Sequence, residues 1–195
     1  MTSLARGLGV AALLSSALAA FGCQSIIGIE DKTLVPGCDE QCAACEEYCD
    51  VVMANCTGEN AVYKTEVACL GLCNAIPLGD IDEPGNENTV ACRFENAVRA
   101  GESEPTLYCN GAGPGGGNLC GSDCESFCYL LENVCPGTYD LNKLESPEEC
   151  LDKCRALRDD ANFDVNGYYD TDTVECRIIH LANATNDPSH CGHGD

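Results

Sequence analysis

The feature that most constrains this chain is a spacing of cysteines. In CESFCYLLENVC, Cys124, Cys128 and Cys135 stand four and then seven residues apart. On a helix turning about 100° per residue, those steps bring all three onto one stripe. The same spacing occurs upstream at Cys45, Cys49 and Cys56 in CEEYCDVVMANC, so the stripe belongs to a repeated unit. Eighteen cysteines stand against no tryptophan and four phenylalanines, too little aromatic bulk for a large core. Cysteine density of this kind marks a disulfide scaffold. A zinc protein would want paired C-x2-C knuckles, and the chain has one, Cys42 to Cys45.

Aligning Cys45 with Cys124 aligns much of the rest. CLGLCNA matches CLDKCRA, NTVACRFENAVRA matches DTVECRIIHLANA, and the tails close at Cys109 and Cys191. The chain is read as a tandem duplication. Its expected parts are an export signal at 1–22, a tether at 23–37, a first copy at 38–110, a glycine-rich linker at 111–119 and a second copy at 120–195. The linker contains a formal G-x-G-x-x-G, but no strand leads into it and Pro114 interrupts it, which argues against a phosphate cradle.

The expected fold is all-α, with two disulfide-stapled three-helix modules. The first helix of each copy ends near Gly58 or Gly137, either of which suits a left-handed cap. The second starts at Thr65 in one copy and at Ser146-Pro147-Glu148-Glu149, a capping box, in the other. The third is expected to start at Asn88 or Asp172, each four residues before a cysteine. Two antiparallel helices that each carry C-x3-C bring their cysteines level, because four residues rise about 6 Å on either helix. That register pairs Cys45 with Cys73, Cys49 with Cys69, Cys124 with Cys154 and Cys128 with Cys150. The remaining cysteines are expected to tie down the third helix and the tail, as Cys42–Cys92, Cys56–Cys109, Cys120–Cys176 and Cys135–Cys191. Cys38 is left over.

The N-terminus has one early Arg6, an apolar run from Leu8 to Phe21, and then Gly22-Cys23. The run is too short for a membrane span and reads as an export signal. It resembles a bacterial lipoprotein signal, which implies lipidation of Cys23, attachment to a membrane through that lipid and, with Gln24 following, an outer-membrane address. A signal-peptidase cut after Ala19, giving a secreted protein, is the rival reading. The net charge of −22 repels phosphate backbones, so no nucleic-acid partner is expected.

One polar segment has the pattern of a cation loop. In NFDVNGYYDTDT, Asn162, Asp164 and Asn166 occupy alternate positions, Gly167 comes next, and Asp170 falls at position 9, as oxygen ligands do around calcium. Position 12 is Thr173 where a bidentate acid is needed. The first copy has Asp80, Asp82 and Gly85 in the same register, interrupted by Pro84. His190, His193 and Asp195 could form a metal pair, but a frayed terminus holds ligands poorly. Cys42 and Cys45 have redox-pair spacing without the βαβ setting that chemistry uses. Arg93 and Arg177 come directly after a helix cysteine in each copy and are expected to pair with nearby acids. No catalytic residues are assigned.

Through NTVACR and DTVECR…HLANATNDPSHC the chain resembles cysteine-rich tandem-repeat lipoproteins of bacterial envelopes. The resemblance implies no activity. The leading expectation is a noncatalytic tethered protein whose modules contact a protein or glycan, without a cofactor. A calcium-dependent docking module and a thiol-disulfide exchange protein are the alternatives.

Overall fold

A computed structural model of the chain describes residues 39–136, 146–157, 163, 165 and 172–193. The first copy contains α1 (Glu40–Asn55), α2 (Glu66–Ala75), α3 (Val90–Glu102) and α4 (Pro105–Ala112). The second contains α5 (Asp123–Val134), α6 (Pro147–Cys154), α7 (Val174–Ala184) and a closing 3-10 turn, Pro188–His193. Among the described residues there is no strand, and the fold is all-α and disulfide-rich.

Side-chain caps set the helix starts. Thr65 accepts from the Ala68 amide at 3.2 Å, and Ser146 from the Glu149 amide at 3.3 Å. The reciprocal capping box is found on α5, where Ser122 and Glu125 bond each other's backbone. α3 and α7 start one residue later than their spacing indicated, with Thr89 and Thr173 as caps in place of Asn88 and Asp172. In the first copy the incoming chain decides this. Pro77 and Leu78 place their carbonyls on the amides of Val90 and Ala91, satisfying the first donors of α3 and fixing its entry. Gly58, at φ +61, lies beyond the end of α1 and opens a short 3-10 turn, while the cap position itself is Cys56. Gly137 lies outside the described residues.

Four bridges form the two antiparallel ladders. Cys45–Cys73 and Cys49–Cys69 join α1 to α2, with Cα separations of 5.6 and 5.8 Å. Cys124–Cys154 and Cys128–Cys150 join α5 to α6 at 5.6 and 6.0 Å. A fourth helical element then closes each copy: Cys56 bonds Cys109 in α4, and Cys135 bonds Cys191 in the closing turn. Both elements begin with proline, whose fixed φ and missing N–H suit a first helical position.

Two pairings differ from the expectation. Cys92 bonds Cys120, so neither Cys42–Cys92 nor Cys120–Cys176 forms. Cys42 is disulfide-bonded, though not to Cys92, and Cys176 is buried. The physical reason is the course of the glycine-rich segment, which folds back over α3 and delivers Cys120 to Cys92. Residues 111–116 are all buried, where a linker would be solvated. Gly116 has φ +84, and a Cβ there would sit 2.2 Å from the Cys120 carbonyl oxygen, so a side chain is excluded.

The two copies share one core. Tyr48, Leu72, Phe127, Leu130, Ile178 and Leu181 are fully buried within a single cluster. α2 packs on α5 and α7, and Gly71 lets α2 approach so closely that a Cβ would meet Thr185 Oγ1 at 2.1 Å. The modules are therefore docked against each other.

Candidate functional site

Two features stand out within the first copy: a buried cation and an open apolar cleft. Arg93 has no exposed surface. Its Nε donates to the Gly113 carbonyl at 3.0 Å, Nη1 to the Thr89 carbonyl at 3.2 Å, and Nη2 to the Pro114 carbonyl at 3.0 Å and to Ser126 Oγ at 2.9 Å. Ser126 Oγ in turn lies 3.1 Å from Asn88 Oδ1 and 2.9 Å from the Gly115 carbonyl. One planar guanidinium thus joins α3, the glycine-rich segment and α5. Arginine suits the task because its rigid fork carries several donors and resists deprotonation.

Beside it, Tyr48 OH lies 2.9 Å from Tyr63 OH and donates to the Ala112 carbonyl. Burial pushes the Tyr63 phenol up to about 12 against the pull of Arg93, and pushes Tyr48 well above its ordinary value, with Tyr63 adding to the rise. Burial also lowers Arg93, opposed by the two tyrosines and by Asp123. Phenols held this firmly protonated donate hydrogen bonds and are poor bases. The cluster is built to hold the glycine-rich segment as a strap.

The cleft opens on the surface where α1, the 78–81 loop and α3 meet. Ala44 and Glu47 line it from α1, Leu78 and Ile81 from the loop, and Val90, Ala91 and Phe94 from α3. Its loop wall is fixed: the Leu78 carbonyl accepts from Ala91, and Asp80 Oδ1 accepts from the amides of Asp82 and Glu83 at 3.0 and 3.3 Å. Ile81 is 53% exposed at the mouth, with exposed Glu47, Asp80, Asp82 and Glu83 around it. The arrangement offers an apolar seat within an anionic rim.

Other sequence-derived candidates fall elsewhere. Cys23 and the calcium set Asn162, Asp164, Asn166 and Asp170 lie outside the described residues. In the first copy, the Asp80 carboxylate closes its own turn, and no group of three metal-ligating side chains occurs among the described residues. Cys42 and Cys45 are not bonded to each other, since Cys45 is held by Cys73. Arg177 pairs with Asp172 at 2.8 Å. Arg93 departs from the expected pairing with an acid, because the strap fills its surroundings with carbonyls. The signal that could have found this role is a run of small residues bracketed by Cys109 and Cys120, which constrains a segment that a free linker would leave loose.

Comparison with known proteins bears on the first copy. The model described as BfoA family C-terminal domain matches residues 38–123. Aurasperone B biosynthesis cluster protein A of Aspergillus niger is 40% identical over 85 residues, covering 42% of this chain and 24% of that protein. Bifonsecin B biosynthesis cluster protein A of Aspergillus brasiliensis is 39% identical over 85 residues, covering 42% of this chain and 25% of its own. The chain spans about a quarter of the length of these curated relatives. No solved structure matches it.

These matches correct the resemblance drawn from cysteine spacing. The similar proteins are fungal biosynthesis cluster proteins and not bacterial envelope lipoproteins, and the outer-membrane localisation falls with that reading. No described helix is long and apolar enough to cross a membrane. The matched stretch contains the whole cleft, Arg93 and the strap through Cys120.

Proposed function

We propose that the chain is a noncatalytic binding protein in which the disulfide-stapled first copy presents its cleft to a basic protein segment carrying one apolar anchor side chain. The observation that carries this reading is the juxtaposition of exposed Ile81 and half-buried Phe94 with Glu47 and the acids of the 80–83 turn. The apolar floor supplies burial for one side chain, and the rim and the net charge of −22 favour a cationic flank. The seat is rigid, so little order has to be gained on binding. The match of the BfoA family C-terminal domain to residues 38–123 supports a role centred on this copy.

The test is calorimetric binding of a short lysine-rich peptide with a single central phenylalanine. Binding is expected to weaken as salt rises, to be lost in Ile81→Asp and to weaken in Glu47→Lys. Equal binding of a glutamate-rich peptide with the same anchor, or unchanged binding by Ile81→Asp, overturns the reading.

A further inference from the structure

His180 on α7 and His190 in the closing turn face each other with their Nδ1 atoms 3.3 Å apart. Their ring centroids are 5.5 Å apart and the planes are tilted by 33°. A tetrahedral ion with metal–nitrogen bonds of about 2.0–2.1 Å holds two ligand nitrogens about 3.3 Å apart. The imidazole pair therefore already has the separation that such an ion requires.

The terminus does not fray at this point. Cys191, next to His190, is 3% exposed and bonded to Cys135 at the end of α5. The His190 amide donates to the Asp187 carbonyl at 3.0 Å, and the Asp187 carboxylate accepts from the Ser189 amide at 3.0 Å. The Asp187 carboxylate is thereby held in the same turn as His190. The objection that a loose tail cannot hold ligands is removed by the bridge.

We propose that His180 and His190 chelate one borderline divalent transition-metal ion, of the zinc and copper class, through their Nδ1 atoms. Solvent completes the coordination. Nitrogen donors select such ions over calcium and magnesium, which take oxygen ligands. In the metal-free pair one Nδ1 donates to the other; both Nδ1 lone pairs are needed for the metal, so the donating ring shifts its proton to Nε2, and acid displaces the metal. The chain's excess of acids raises the local concentration of cations.

The experiment is titration of the oxidised full chain with Zn2+ alone and with Cu2+ alone, in competition with a chromophoric chelator. One equivalent is expected to bind, with Cu2+ tighter than Zn2+. His180→Gln and His190→Gln should each weaken it by about tenfold or more, since even loss of a residue that only supports a ligand costs that much. His193→Gln should leave it in place. Disulfide mapping of each variant checks that Cys135–Cys191 has formed. A readout free of substitution is nitrogen NMR of the parent histidine rings, where Zn2+ should move the His180 and His190 Nδ1 resonances together. No uptake of either ion, uptake unchanged in His180→Gln, uptake lost only in His193→Gln, or unmoved ring resonances overturns the proposal.

Discussion

Arg93 and Arg177 occupy the same place in the duplicated unit, each one residue after the helix cysteine of its copy, yet they do different work. Arg177 stays near the surface and pairs with Asp172, whose side chain is 65% exposed. Arg93 is enclosed, and its partners are carbonyls and a hydroxyl. The difference lies in the segment attached to the end of each copy. The first copy runs into the glycine-rich strap, which brings the Gly113 and Pro114 carbonyls over α3 and seals them there with Cys92–Cys120. The second runs into the closing turn pinned by Cys191. A duplicated residue is thus reassigned by its surroundings, with no change in its own chemistry.

The largest expected effect comes from cutting the clasp. Arg93→Leu strands the Gly113 and Pro114 carbonyls and the Ser126 hydroxyl in a dry interior, and should cost about 3–5 kcal/mol of stability by denaturant unfolding under oxidising conditions. Arg93→Lys should rescue little, because one ammonium cannot reproduce the fork. A loss under about 1 kcal/mol for Arg93→Leu would place the strap's stability elsewhere.

Removing the covalent seal comes next. The double variant Cys92→Ser, Cys120→Ser opens a bridge with a sequence separation of 28, which should cost about 3 kcal/mol. If the clasp and the bridge hold the same segment, the losses from this variant and from Arg93→Leu should combine non-additively. Strict additivity would show that they act independently.

The buried tyrosines give the comparison a pH signature. Tyr63 is raised to about 12 and Tyr48 is raised as well, so the folded state holds these protons more tightly than the unfolded chain does. Their contribution is fully present below about pH 10 and is lost as pH rises through about 12, on the order of 2–3 kcal/mol for Tyr63. Absorbance titration should show exposed tyrosines ionising first, with Tyr48 and Tyr63 ionising only as the first copy opens. Ionisation of every tyrosine near pH 10 without unfolding would contradict the enclosed cluster.

The smallest effect is expected on the other side of the comparison. Asp172→Asn removes a partner that is 65% exposed, and should change stability by less than about 1 kcal/mol. A loss as large as that of Arg93→Leu would erase the distinction between the two arginines.

The sequence by itself determined the helical class and the ladder register. These arise from local quantities: a rise per residue that sets C-x3-C against C-x3-C, and hydroxyls placed where a helix needs an acceptor for its first amides. Thr65 and Ser146 were legible for that reason, whereas α3 started at Thr89 because carbonyls arriving from Pro77 and Leu78 intervened. Only the tertiary structure decided that Cys92 meets Cys120, that residues 111–116 are interior, that Arg93 holds them, and that Ile81 stands at the mouth of a cleft. The facing of His180 and His190 is of the same kind, since the bridge from Cys191 to α5 places the two rings together. Composition reads glycine as freedom of the chain. Packing reads it as the absence of a side chain, and which reading applies depends on contacts between residues far apart in sequence.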